Sequence, residues 1–206
     1  MSFPSLRLAF AATALCFGTL GSVQAAPVDL DVGAASGGGC CSFGTRGYWF
    51  TAPVDFRITA VSVPGRAGAG STLEVLRFSS AIPAYSGSTN AFTSLGFWSD
   101  VASASADIAV QAGDIIGVLG YSGGDGYTPY GGSEYATSIF GNAITLQRLG
   151  FQALGAAHDV WREPGGSIGL IGLQYDVAGG NVPEPTSIAL VLAALAGLTV
   201  VRRRSV

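Results

Sequence analysis

Apolar and polar positions alternate along the middle of the chain. In the stretch VDFRITAVSVPG, Val54, Phe56, Ile58 and Ala60 alternate with Asp55, Arg57 and Thr59, the period of a strand with one face buried. The phase then slips so that Val61 and Val63 carry the apolar face, which predicts a bulge or bend near Ala60-Val61. Further runs predict strands at 72–78, 93–98, 107–110, 115–119, 139–149 (broken at Gly141-Asn142) and 167–177. Clusters of Gly, Pro, Ser and Asn separate them. Residues 99–106 form the one internal segment compatible with a short helix. About eight short strands with irregular loops argue for an all-β fold, an antiparallel β-sandwich of jelly-roll type. The phrase IAVQAGDIIGVLGY fits that reading, with a Gly113-Asp114 turn between two strands.

The alternation stops at both ends, where the apolar residues become continuous. Arg7 is the only charge before the apolar stretch 8–20, and Val23-Gln24-Ala25 supplies small residues for cleavage after Ala25. That order predicts a secretory signal peptide over residues 1–25. Leu15 before Cys16 does not fit a lipoprotein signal, which needs a small residue there. At the other end, residues 186–201 carry no charge and no proline, and Arg202, Arg203 and Arg204 follow directly. As a helix this run would extend about 24 Å at roughly 1.5 Å per residue. It falls a little short of the roughly 30 Å hydrocarbon core, and flanking arginines that reach the interface compensate. Clustered arginine stays on the cytoplasmic side, so residues 26–181 are expected outside the cytoplasm.

Pro183-Glu184-Pro185, a short apolar helix and a basic tip occur in that order over residues 182–206. This tripartite tail resembles the PEP-CTERM sorting signal of Gram-negative bacteria. The resemblance implies that an exosortase in the inner membrane removes the tail near Pro183-Glu184-Pro185 after Sec export. The protein, inner-membrane-anchored only transiently, would then pass to the cell surface or extracellular matrix, often alongside exopolysaccharide. Proline denies the site a helix and leaves Glu184 on an extended, accessible segment, as a processing site requires. The text GYWFTAPVDFRITAVSVPG also resembles a segment shared by uncharacterised PEP-CTERM proteins, a likeness that implies no activity.

Residues 26–181 hold six arginines, no lysine and twelve acidic residues, a formal charge near −6. Such a surface argues against nucleic acid as a partner. Divalent cations or neutral sugars suit it better. With 49% hydrophobic residues the chain is too apolar for disorder.

Gly120-Tyr121-Ser122-Gly123-Gly124 matches the G-x-S-x-G of a hydrolase nucleophile elbow. A chain with 31 glycines produces such a match readily, and the loop Asp125-Gly126-Tyr127-Thr128-Pro129 follows where the elbow needs a helix. His158 beside Asp159 is the only available base.

Cys40 and Cys41 are the thiols that remain once Cys16 leaves with the signal, and outside the cytoplasm they should oxidise. Neighbouring Cα atoms lie about 3.8 Å apart, below the usual disulfide span of about 4.4–6.8 Å. A strained vicinal bridge, eased by the flanking glycines, competes with an interchain bond and with free thiols. Two adjacent thiols and one histidine fall short of a structural zinc site.

The loop YSGGDGYTPYGGSEY offers Tyr121, Asp125, Tyr127, Tyr130, Glu134 and Tyr135. Tyrosine rings stack on sugar faces and carboxylates hold Ca²⁺. The alternative is an ordinary loop packing its aromatics on the domain edge, and no D-x-D-x-D-G spacing is present. Trp49, Trp98 and Trp161 sit in strand-like contexts that favour core packing. The expectation is a non-catalytic exported protein, without a required cofactor, whose sandwich serves structure or adhesion. The alternatives are a carbohydrate-binding module for the producer's exopolysaccharide and, third, a serine hydrolase using Ser122.

Overall fold

The computed structural model describes residues 26–40, 44–65, 69–123 and 128–177. The signal segment with Ala25, Cys41, Asp125, Tyr127, Pro183-Glu184-Pro185, the run 186–201 and Arg202 to Arg204 lie outside the described residues. In chain order the strands are β1 (Val28–Asp29), β2 (Gly39–Cys40), β3 (Thr45–Thr51), β4 (Phe56–Ser62), β5 (Thr72–Phe78), β6 (Phe92–Ser99) and β7 (Ser103–Val110). There follow β8 (Ile115–Tyr121), β9 (Thr128–Ser133), β10 (Tyr135–Ile139), β11 (Asn142–Phe151), β12 (Trp161–Arg162), β13 (Ser167–Gly169) and β14 (Gly172–Val177). No helix occurs among the described residues.

One sheet has the order β1-β14-β4-β7, a second the order β10-β11-β3-β8-β5-β6 with β12 on the side of β11, and a small third β13-β9-β2. Every strand pair is antiparallel. The first two sheets contribute to one apolar core, in which Phe56, Ile58, Ile108, Leu173 and Tyr175 of the first meet Tyr48, Phe50, Leu73, Val75, Ile116 and Val118 of the second. This architecture is all-β and consistent with a β-sandwich.

The second sheet is buried on both faces at its centre. Along β5, Leu73 and Val75 join the inner core while Leu76 and Phe78 join an outer cluster with Leu119, Leu149, Phe151, Ile82, Val160 and Trp161. The same period of two places Ile144 and Leu146 of β11 inside and Leu149 and Phe151 outside. Each fully buried side chain of this size contributes roughly 1.5–3 kcal/mol. Two loops supply the cover of the outer cluster, tied together by the pairs Thr89 with Val160 and Ala84 with Arg162.

Three expectations change in detail. The phase slip falls at Thr59, the extra residue of β4 against β14, one residue before the expected bulge. Val61 and Val63 then carry the buried face as read. Residues 99–106 make no helix: from Ser103 onward they belong to β7, paired with β4, and Ala104 is buried. Ala and Ser carry little local preference, so tertiary pairing decides the conformation. Finally, the run 167–177 is two strands in different sheets, β13 and β14, with the chain bending at Leu170-Ile171. β3, which the periodicity did not mark, is a full strand without alternation, because Tyr48, Trp49 and Phe50 all pack, on two different faces. At Gly47 a Cβ would fall 1.8 Å from the Val118 carbonyl oxygen, so only glycine fits.

Candidate functional site

The loop that follows β8 is built into the body. Tyr121 closes β8 at 5% exposure. In β9 the Tyr130 ring lies under the Arg148 guanidinium, 4.6 Å from Cζ to centroid, and the Tyr130 hydroxyl accepts from Arg148 Nη2 at 2.9 Å. Arg148 also donates to the Ser167 carbonyl and forms an ion pair with Glu163, Nε to Oε2 2.6 Å. Tyr135 starts β10 and donates its hydroxyl to Asp31 Oδ2 at 2.8 Å. The Gly33 backbone N–H and then this hydroxyl hold the Asp31 carboxyl below its ordinary value, and the same bond raises the Tyr135 phenol. Glu134 is exposed with φ 49°. The described tyrosines of the loop therefore pack or bond within the protein.

Ser122 lies between β8 and β9, 5% exposed, and its Oγ donates to the Pro64 carbonyl at 3.4 Å. His158 faces Asp159, 3.3 Å from Nδ1 to Oδ2, and the Phe151 ring at 5.6 Å. Neither contact links it to Ser122. Cys40 lies in β2, its backbone paired with Thr128. Among the described residues no group of three His, Cys, Asp or Glu could hold a metal ion. A cleft of about 160 Å³ lined by Asp29, Ser62, Ser103 and Gln174 opens on the first sheet near the Thr59 bulge. It is smaller than the roughly 300 Å³ at which small-molecule sites begin.

The Arg148–Glu163 pair leads to a surface that the periodicity did not mark. Glu163 Oε1 accepts from Trp161 Nε1 at 2.9 Å, and the Trp161 ring meets that of Tyr85, centroids 5.5 Å apart. The buried Arg46 guanidinium also lies over the Trp161 ring, 5.9 Å from Cζ to the centroid. Among the described residues Arg46 donates to the Thr45 and Phe151 carbonyls and to Gln152 Oε1. Tyr85 is 71% exposed, the most exposed large hydrophobic residue among those described.

Its backbone is nevertheless held. The Tyr85 N–H donates to the Arg162 carbonyl at 3.0 Å, and the Gly87 N–H closes a tight turn onto the Ala84 carbonyl at 2.9 Å. Ser86 takes φ 55° at the third position of that turn, a left-handed conformation that serine adopts rarely. Beyond the turn stand Ser88, Asn90, His158 and Asp159, all exposed. Asn90 and Asp159 bond reciprocally: Asn90 Nδ2 donates to Asp159 Oδ1 at 2.9 Å, and the Asp159 N–H donates to Asn90 Oδ1 at 2.8 Å. The hydrogen bond from His158 and then that from Asn90 hold the Asp159 carboxyl below its ordinary value, so it is ionised at neutral pH. No family model matches this chain, and no curated protein or solved structure does so either.

Proposed function

We propose that the chain is an exported, non-catalytic surface or matrix protein whose β-body serves structure or adhesion. In this reading residues 1–25 direct Sec export. Residues 182–206 hold the precursor in the inner membrane until an exosortase cuts near Pro183-Glu184-Pro185. The observation that carries the reading is the order of the tail: a Pro-Glu-Pro motif, an uncharged run and three arginines.

The body supports it in two ways. Its strands alternate between sheets in chain order: β1 in the first, β3 in the second, β4 in the first, β5 and β6 in the second, β7, β8 and β14 again alternating. That order supports the jelly-roll reading, with the β10–β11 hairpin added at the edge of β3. Secondly, lysine is absent and the acidic excess is large, which suits a protein that stays off anionic surfaces. Alanine in place of Pro183, Glu184 and Pro185 is expected to trap the full-length chain in the inner membrane. A distribution in fractionated cells identical to that of the unaltered protein would overturn the reading.

A further inference from the structure

We propose that Tyr85, with Asn90 and Asp159 beside it, forms a docking surface for a neutral oligosaccharide or polysaccharide. The proposal gives the adhesive reading a ligand and rests on it.

A sugar ring offers an apolar C–H face and a rim of hydroxyls, so its binding surface needs an open aromatic plate next to groups that accept and donate hydrogen bonds. Tyr85 is such a plate. The residue is 71% exposed, yet its ring leans on Trp161 and its backbone is tied to β12. Through β12 it is tied to β11 and the large sheet. A loop aromatic without these ties would lose much of its binding energy to ordering; this one is already positioned.

Asp159 and Asn90 supply the rim. Their reciprocal bonds fix both side chains and still leave capacity: Asp159 Oδ1 is taken by Asn90 and Ser88, but Oδ2, which faces only His158, can accept again, and the Asn90 amide keeps a second N–H. Tyr85 follows the Ala84–Arg162 pair, and Asn90 and Asp159 adjoin the Thr89–Val160 pair, so all three stand on the same two paired loops. The acidic excess of the body and the Asp159 charge favour a neutral polymer over an anionic one. A protein partner is disfavoured because a protein hot spot is a cluster of desolvated anchors. Here one ring stands out amid polar, exposed side chains.

The test uses the full chain purified in a detergent without a sugar headgroup, run by affinity electrophoresis through gels containing dextran, mannan, hydroxyethylcellulose or alginate. Retardation by at least one of the three neutral polymers is expected. Tyr85→Ala should weaken it at least tenfold with an unchanged melting temperature. Tyr85→Phe should keep it, since stacking needs the ring and not the hydroxyl. Retardation by none of the polymers, by alginate only, or undiminished in Tyr85→Ala would overturn the proposal. So would loss of self-association in Tyr85→Ala without any polymer retention, which would assign the ring to a protein contact. Each of these failures leaves the export reading untouched, because that reading is judged by where the precursor and product are found.

Discussion

The Ala157 backbone N–H donates to Glu74 Oε2 at 2.6 Å, joining a buried carboxylate of β5 to the loop that covers the outer apolar cluster. The second oxygen of Glu74 accepts from Ser94 Oγ at 2.7 Å, so one side chain ties β5, β6 and the 152–159 loop. Truncation would leave an amide and a hydroxyl without their acceptor and open a cavity. Glu74→Ala is expected to cost about 2–4 kcal/mol, lowering the melting temperature by roughly 5–15 °C. Glu74→Gln keeps an oxygen for Ala157 and should lose far less. Thermal unfolding of the two variants checks the difference, and equal losses would contradict it.

Burial pushes the Glu74 carboxyl up, against the two hydrogen bonds that favour its charged form. Between the ordinary carboxylate value and this raised one, the folded chain binds more protons than the unfolded chain. Its contribution to stability therefore falls as pH rises through that window. The carboxyls of Asp31 and Asp159 shift downward and have the opposite dependence, so the comparison has to be internal. The melting temperature of Glu74→Gln relative to the parent should therefore rise from acid to neutral pH. A relative melting temperature that falls over that range would contradict the assignment.

Arg148 is nearly buried, with its side chain 10% exposed against 30% for Glu163. Removing the acid leaves a largely desolvated guanidinium with the Tyr130 hydroxyl and the Ser167 carbonyl as acceptors. Glu163→Ala should therefore cost about 1–3 kcal/mol, between the values for exposed and buried pairs. The change should also free Trp161 Nε1 and shift its fluorescence. An unchanged emission maximum with unchanged stability would show that the pair holds nothing together.

At Gly47 the test is steric. β13 crosses this point as well, since a Cβ on Gly169 would meet the Gly47 nitrogen at 2.8 Å. Gly47→Ala should lose more than about 4 kcal/mol, as overpacking against backbone on both sides leaves no route for relaxation. Soluble, folded protein of parental stability from this variant would contradict the packing of β3 against β8.

These cases show what a linear reading can reach. β5 stands out because serine and glycine bound a run of strand-forming residues, and the break between β10 and β11 is marked by Gly141, which takes φ +76°. The slip near Thr59 was visible to within one residue, since it moves side chains between core and solvent. β3 was hidden: burial on both faces removes the alternation that identifies a strand. The Tyr85 surface was hidden for another reason. It exists because Thr89 pairs with Val160 and Ala84 with Arg162, contacts between segments about 70 residues apart that no local pattern announces. The tyrosines of the 121–135 loop were conspicuous by composition, yet the bonds of Tyr130 and Tyr135 run to Arg148 and Asp31.

The most direct test of the account is the intact mass of this protein recovered from the medium and envelope of the cells that make it. Loss of residues 1–25 and of the tail from near Pro183 is expected in one species. In that species Cys40 and Cys41 should be oxidised, either lighter by two hydrogens or doubled in mass through an interchain bond. A single species with both ends intact, recovered from the cytosol, would contradict it.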